Sequence, residues 1–219
     1  MSTDLPSGSW PWLHDAARWV GGWIYIPRLR LRVRGSEHVP AEGPVVVVAN
    51  HSTMLEGPIL FGVLPRRLVF LVKNEMFLGP LGWGLCRLGQ IPVRRGEPHR
   101  GALATATRVL NAGGVVGVFP EGTRGSGAVE HAHGGAAWLA RATGAMVLPV
   151  ACRGTTWGAG TRNRCSRRVV DIVIGAPFSL PAERGRAALA ASTGRLRTEL
   201  AALVDELDRR RAGGPEEDV

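Results

Sequence analysis

The sequence predicts an α/β domain in which a mostly parallel central sheet is flanked by helices, with an amphipathic helix at the N-terminal end. Three observations carry this prediction. From residue 44 onward, short apolar runs alternate with helical stretches, the order that builds a largely parallel sheet with helices packed on its faces. Gly113 and Gly144 stand where helix C-caps are expected. A length of 219 residues with 45% apolar content suffices for one well-packed domain and falls short of two large ones.

In chain order, Trp10 to Ile26 come first. Trp12, Ala16, Trp19, Trp23 and Ile26 recur at helical spacing, while His14, Arg18 and Tyr25 fall on another side. Indole rings suit the headgroup boundary, so such a helix can lie in the plane of a bilayer; the alternative is a helix that packs its tryptophans on the core. After Pro27, Arg28, Arg30, Arg32 and Arg34 alternate with Leu29, Leu31 and Val33, which in a strand puts four guanidinium groups on one face. That face suits anionic headgroups, or guards an edge strand against aggregation. Val45 to Ala49, Pro58 to Leu64, Leu68 to Val72, Gly79 to Leu88, Gln90 to Val93 and Arg100 to Ala112 then supply strands and helices in turn. Val115 to Phe119, Gly134 to Thr143, Met146 to Ala151 and Val169 to Ile174 continue the pattern, and a last helix extends from about Ala182 to Arg211. Ala212 to Val219 read as a disordered tail.

The formal charge of +9 and pI near 11.1 point to an anionic partner. Every basic residue except Lys73 is arginine, so part of the bias reflects the coding genome, and charge alone does not choose among membrane, nucleic acid and phosphorylated small molecule. Cys86, Cys152 and Cys165 show no C-x-x-C spacing, which offers neither a disulfide framework nor a zinc ligand set and fits a reducing, cytoplasmic setting. No secretory signal is recognisable, and no apolar stretch approaches the roughly eighteen residues of a spanning helix. Membrane contact is therefore expected from one side.

Ligands of open α/β sheets bind at the carboxyl ends of strands. Directly after Val45 to Ala49 stand Asn50, His51 and, five positions past the histidine, Glu56. In a continuous helix that spacing separates the two side chains by about 140°. Pro58 suits a first helical turn, so His51 to Gly57 reads as a loop able to fold the carboxylate back onto the imidazole. Such a pair makes a general base, and it also serves as a structural hydrogen bond. Val115 to Phe119 is followed by Pro120-Glu121-Gly122-Thr123-Arg124-Gly125, where glycine admits close backbone approach and Arg124 can grip a phosphate through two parallel bonds. Lys73 follows one further strand, and Arg94 and Arg95 another; each cation is otherwise a solvated surface charge.

Competing classes lack their signatures. A serine hydrolase needs G-x-S-x-G, which is absent, and a P-loop needs a Gly-Lys pair, also absent. No nucleic-acid-reading motif occurs. His131-x-His133 lacks further ligands at metal spacing.

At these residues the sequence resembles the glycerolipid acyltransferase superfamily, specifically the bacterial 1-acylglycerol-3-phosphate acyltransferases, over about residues 27 to 180. Asn50-His51 with Glu56, Gly89 to Arg95, Phe119 to Arg124, and Val147-Leu148-Pro149-Val150 are similar to its four blocks in order. The resemblance implies a glycerol-3-phosphate acyltransferase-like fold, a general base His51 oriented by Glu56, and direct transfer from acyl-CoA or acyl carrier protein to a lysophospholipid hydroxyl. It implies substrate binding by Lys73, Arg95, Glu121, Gly122, Thr123 and Arg124, with Glu121 orienting Arg124 or the acceptor glycerol. It implies no cofactor, metal or nucleic acid, and a peripheral or monotopic place on the cytoplasmic face of the cell membrane. Lysophosphatidic acid is the default acceptor, another lysolipid or a glycolipid the alternative, and a thioesterase the alternative of a different class. The chain then divides into a membrane-associating segment, 1–34, an acyltransferase domain, 35–211, and the tail, 212–219. It departs from the family at Glu56, where most members carry Asp, and at Glu130 to Gly134, which lacks a lysine often seen there.

Overall fold

Every residue of strand β2 (Val45–Ala49) is buried, as a strand covered on both faces requires. Side chains alternate between faces, and the two halves of the core follow from that alternation. Val46 and Val48 join one cluster with residues of α4 (Arg100–Asn111), α5 (Gly135–Thr143) and α6 (Arg186–Ala212). Val45, Val47 and Ala49 join a second with Ile59 and Leu60 of α2 (Glu56–Val63). The structure, a computed structural model, describes residues 4–25 (22–25 by backbone alone), 29–94, 100–122, 124–156, 168–183 and 185–213.

The remaining elements are α1 (Pro11–Tyr25), β1 (Leu29–Arg34), β3 (Leu68–Lys73), α3 (Gly79–Arg87), β4 (Ile91–Val93), β5 (Val115–Val118), β6 (Met146–Arg153) and β7 (Arg168–Ile174). They form a seven-stranded sheet in the order β1-β7-β6-β2-β5-β3-β4. β6, β2, β5, β3 and β4 are mutually parallel, β7 turns antiparallel to β6, and β1 runs parallel to β7. The expected mostly parallel sheet flanked by helices is present. Gly113 and Gly144 both take positive φ, 81° and 67°, at helix ends.

Several boundaries move for physical reasons. α2 begins at Glu56 rather than Pro58, because Pro58 still lies in the first turn, where amide donors have no intrahelical acceptor to lose. β6 continues two residues past Ala151, to Arg153. α6 starts at Arg186, after Gly185 with φ 112°, instead of near Ala182; Phe178 upstream instead bridges Val147. Arg28 and residues 214–219 of the expected tail lie outside the described residues, while Ala212 still belongs to α6.

α1 packs on α2 with its polar side inward. His14 is fully buried, its Nδ1 2.8 Å from the Leu88 carbonyl oxygen and its ring 4.6 Å from that of Phe61. Arg18 donates to the Phe61 carbonyl at 3.3 Å and to that of Leu64, satisfying acceptors that the end of α2 leaves open. Trp12 and Trp19 are consequently exposed, at 64% and 67%; the side chain of Trp23 lies outside the described residues. β1 is the edge strand beside β7, so residues 29–34 are hydrogen-bonded into the α/β sheet rather than standing apart with the N-terminal segment. Leu29, Leu31 and Val33 face the core, Arg30 is exposed, and Arg32 lies 4.0 Å from Asp171. Among the described residues no helix is long and apolar enough to cross a membrane.

Candidate active site

Register brings the chemistry-bearing residues to one edge. Val48 pairs with Val118 and Pro149, Phe70 with Gly117, and Lys73 with Val93. The five parallel strands therefore end nearly level, presenting His51, Glu121, Lys73, Arg94 and Arg153 along the carboxyl edge of the sheet.

His51 continues the face of β2 that carries Val45 and Val47, and its ring stacks on Phe119 at 4.2 Å, which stacks in turn near Phe70 at 5.3 Å. Its Nδ1 lies 3.4 Å from Glu56 Oε2, an off-line approach that stops short of a closed hydrogen bond; such contacts are often loose before substrate binds. The ring is 18% exposed, whereas Glu56 is fully buried. The Thr53 amide donates to both Glu56 oxygens, at 3.0 and 2.8 Å, the Thr53 hydroxyl donates to Oε1 at 3.1 Å, and the Thr155 hydroxyl donates to Oε1 as well. Burial alone disfavours the charge, but the nearby His51 ring and the hydrogen bonds from Thr155 and Thr53 together outweigh it and hold the carboxyl below its ordinary range.

The backbone of His51 is fastened on both sides to the loop after β5. Its amide donates to Glu121 Oε1 at 2.9 Å, and its carbonyl accepts from the Gly125 amide at 3.0 Å. Burial pushes the Glu121 carboxyl up despite that hydrogen bond. The Glu121 carboxylate thus engages the His51 backbone through Oε1, and Arg124 is exposed. Gly122 has φ 66°, and a Cβ there would stand 2.7 Å from the ring of His133, which is why a side chain is excluded. Lys73 is paired with Glu75 at 3.1 Å and remains 44% exposed. Arg95 and Thr123 lie outside the described residues. No group of three or more potential metal ligands occurs among the described residues, and His133 is placed by its amide bond to the Pro120 carbonyl, 2.8 Å.

Four residues of this site were not among the expected catalytic or substrate-binding residues. Asn50, fully buried, donates to the Cys152 carbonyl at 3.0 Å and accepts from its amide at 2.7 Å, bridging β2 to β6. Its place beside His51 was a signal. Arg153 forks onto Asp208 of α6 at 2.7 and 2.8 Å and also donates to the Gly127 carbonyl at 3.2 Å. The hydrogen bonds to Asp208 raise its pKa. Thr53 and Thr155 carry no signature in a one-dimensional pattern.

The acyltransferase family model matches residues 30–153, more than half of the chain. The chain belongs to the acyltransferase family. A 1-acyl-sn-glycerol-3-phosphate acyltransferase of Bacillus subtilis is 28% identical to it over 187 residues, covering 82% of this chain and 90% of that one. The human enzyme of the same name, alpha form, is 36% identical over 104 residues, 46% of this chain and 37% of its own. The crystal structure of the 1-acyl-sn-glycerophosphate (LPA) acyltransferase PlsC from Thermotoga maritima superposes with a TM-score of 0.68 at 24% identity, over 89% of this chain and 79% of that one, which supports the fold. In this acyltransferase the loop bracketing His51 also lines a shallow depression with Glu121, Gly125, Ser126, Glu130 and His131. Its two carboxylates, Glu121 and Glu130, make that depression a poor seat for a phosphate.

Proposed function

We propose that this acyltransferase moves a fatty acyl group from acyl-CoA or acyl carrier protein to the free hydroxyl of lysophosphatidic acid, forming phosphatidic acid. The observation that carries this reading is the pair of partly exposed His51 and buried, ionised Glu56, fastened to the Glu121–Gly125 loop. His51 Nε2 removes the acceptor proton while Glu56 steadies the imidazolium that forms. The alkoxide attacks the thioester carbonyl, and collapse of the tetrahedral adduct expels the thiolate, which recovers the proton from His51. Arg124, Lys73 and Arg95 receive the acceptor phosphate, two guanidinium forks and one point charge matching its oxygens. The names borne by the Bacillus and human relatives support the acceptor.

The enzyme works from a membrane surface, as a peripheral or monotopic protein on the cytoplasmic face. Trp12, Trp19 and Val20 of α1 are exposed, as are Leu78, Leu81 and Trp83 at α3 and Met54 between His51 and Glu56. Trp10 joins the two helices, stacking on Trp12 at 5.7 Å and meeting Trp83 edge-on at 5.6 Å, with Arg87 over both Trp10 and Trp83. Indoles beside a guanidinium suit an anionic headgroup layer.

Thiol release from palmitoyl-CoA, with lysophosphatidic acid in mixed micelles, tests the reaction. Release that requires acceptor, yields phosphatidic acid and falls at least a hundredfold in His51→Ala is expected, roughly the share of a general base. Acceptor-independent release would make the protein a thioesterase, and inactivity with palmitoyl-CoA and with palmitoyl-acyl carrier protein, assayed in the same way, would remove lysophosphatidic acid as the acceptor.

A further inference from the structure

We propose that Thr155 is a positioning residue for the catalytic pair: its hydroxyl engages Glu56 Oε1 so that Oε2 remains directed at His51. The inference rests on the general-base reading above. Thr155 lies 99 positions from Glu56, is 1% exposed, and donates to a carboxylate that is itself fully buried. The chain reaches that spot through a turn only glycine makes. Gly154 has φ 89°, and a Cβ there would stand 2.2 Å from the Val169 carbonyl oxygen, so the backbone leaves β6 sharply and returns the Thr155 side chain under the start of α2. Arg168 donates to the Thr155 carbonyl at 3.3 Å and to that of Thr156, fastening the turn from β7.

The two carboxylate oxygens of Glu56 carry different partners. Oε1 takes the hydroxyls of Thr53 and Thr155 and a 3.0 Å bond from the Thr53 amide, while Oε2 takes the same amide at 2.8 Å and faces His51 Nδ1 at 3.4 Å. Thr53 sits on the same loop as the base, whereas Thr155 stands two residues past the end of β6, its carbonyl held by Arg168 of β7. A glutamate has three side-chain torsions, and a hydroxyl held in the turn just past β6 removes the freedom that would let the carboxylate turn away from the imidazole. An ionised carboxylate is acceptor-only, so Thr155 must donate, and its donation favours the charged form on which the orientation of His51 depends.

Thr155→Val and Thr155→Ser separate the hydroxyl from the packing. The valine variant keeps the volume and loses the donor; kcat is expected to fall about tenfold or more, part of what a positioned general base contributes, with KM within about twofold. At the acid end of its kcat–pH profile activity is expected to fall more steeply than in wild type, as Glu56 takes up a proton sooner. The serine variant restores the donor and is expected to recover kcat to within a few-fold. Wild-type kcat and pH profile in the valine variant, or a serine variant more impaired than the valine one, would reduce Thr155 to a packing role and overturn the proposal. Should the valine variant fail to fold, Thr155→Ala against Thr155→Ser gives the same comparison. His51→Ala, run beside them, distinguishes the two layers: an active His51→Ala removes the general-base reading itself, whereas an inactive one beside a fully active Thr155→Val removes Thr155 alone.

Discussion

Asn50, beside His51, has little room for change. It has no exposed surface, and both polar atoms of its amide are spent on the backbone of Cys152. Asn50→Ala orphans a buried N–H and a buried C=O, each at a cost of about 1–3 kcal/mol, so an unfolding free energy lower by about 2 kcal/mol or more is expected from chemical denaturation. Little change would mean that water replaces the amide. Glu56 ties ionisation to stability. Its folded-state pKa lies below its ordinary value because hydrogen bonds outweigh burial, so its contribution is complete above about pH 4.5 and is lost as pH falls through the folded value. Melting temperature is expected to fall more steeply below about pH 4.5 in wild type than in Glu56→Gln; parallel curves would show that the charge carries none of the acid sensitivity.

At the scale of elements, the joint between α1 and α2 is the place where proton uptake acts on structure. Burial is the main cause that lowers the pKa of His14; Arg18 and Arg67 add to it, while the Leu88 carbonyl and Asp15 oppose them. A histidine held neutral by the folded state stabilises it fully above about pH 6.5 and less as pH falls toward the folded value. Wild type is therefore expected to lose melting temperature as pH falls below about 6.5, and His14→Gln, which keeps a donor for Leu88, to show a flatter profile. The same joint marks where reading the sequence stopped. Periodicity established that Trp10 to Ile26 is helical, and the observed α1 spans Pro11–Tyr25. It could not say which side faces in, because the partners of His14 and Arg18 are carbonyls of Leu88, Phe61 and Leu64, and backbone acceptors have no letter in a sequence. Local patterns sufficed for the strands and for the approach of Glu56 to His51, five residues away. The contacts of Arg153 with Asp208 and of Thr155 with Glu56 span 55 and 99 positions and exist only once the sheet has assembled.

At the scale of the whole molecule, the membrane-surface reading proposed above assigns the exposed apolar residues of α1 and α3, together with the positive net charge, to an anionic bilayer. Trp12→Gln with Trp19→Gln is expected to weaken sedimentation with anionic vesicles several-fold, because two indoles no longer enter the headgroup layer. Both side chains are exposed, so the melting temperature should hold, and added salt should weaken wild-type binding further. Undiminished sedimentation would assign membrane contact to another surface. The two hydrogen bonds that fasten His51 to Glu121 and Gly125 have a further consequence. The segment that bears the base and the segment that bears Arg124 cannot be displaced independently. If His51 and Arg124 act as proposed, a ligand that pulls on one resets the aim of the other, and acceptors differing at the anionic end are expected to be discriminated in turnover as well as in capture.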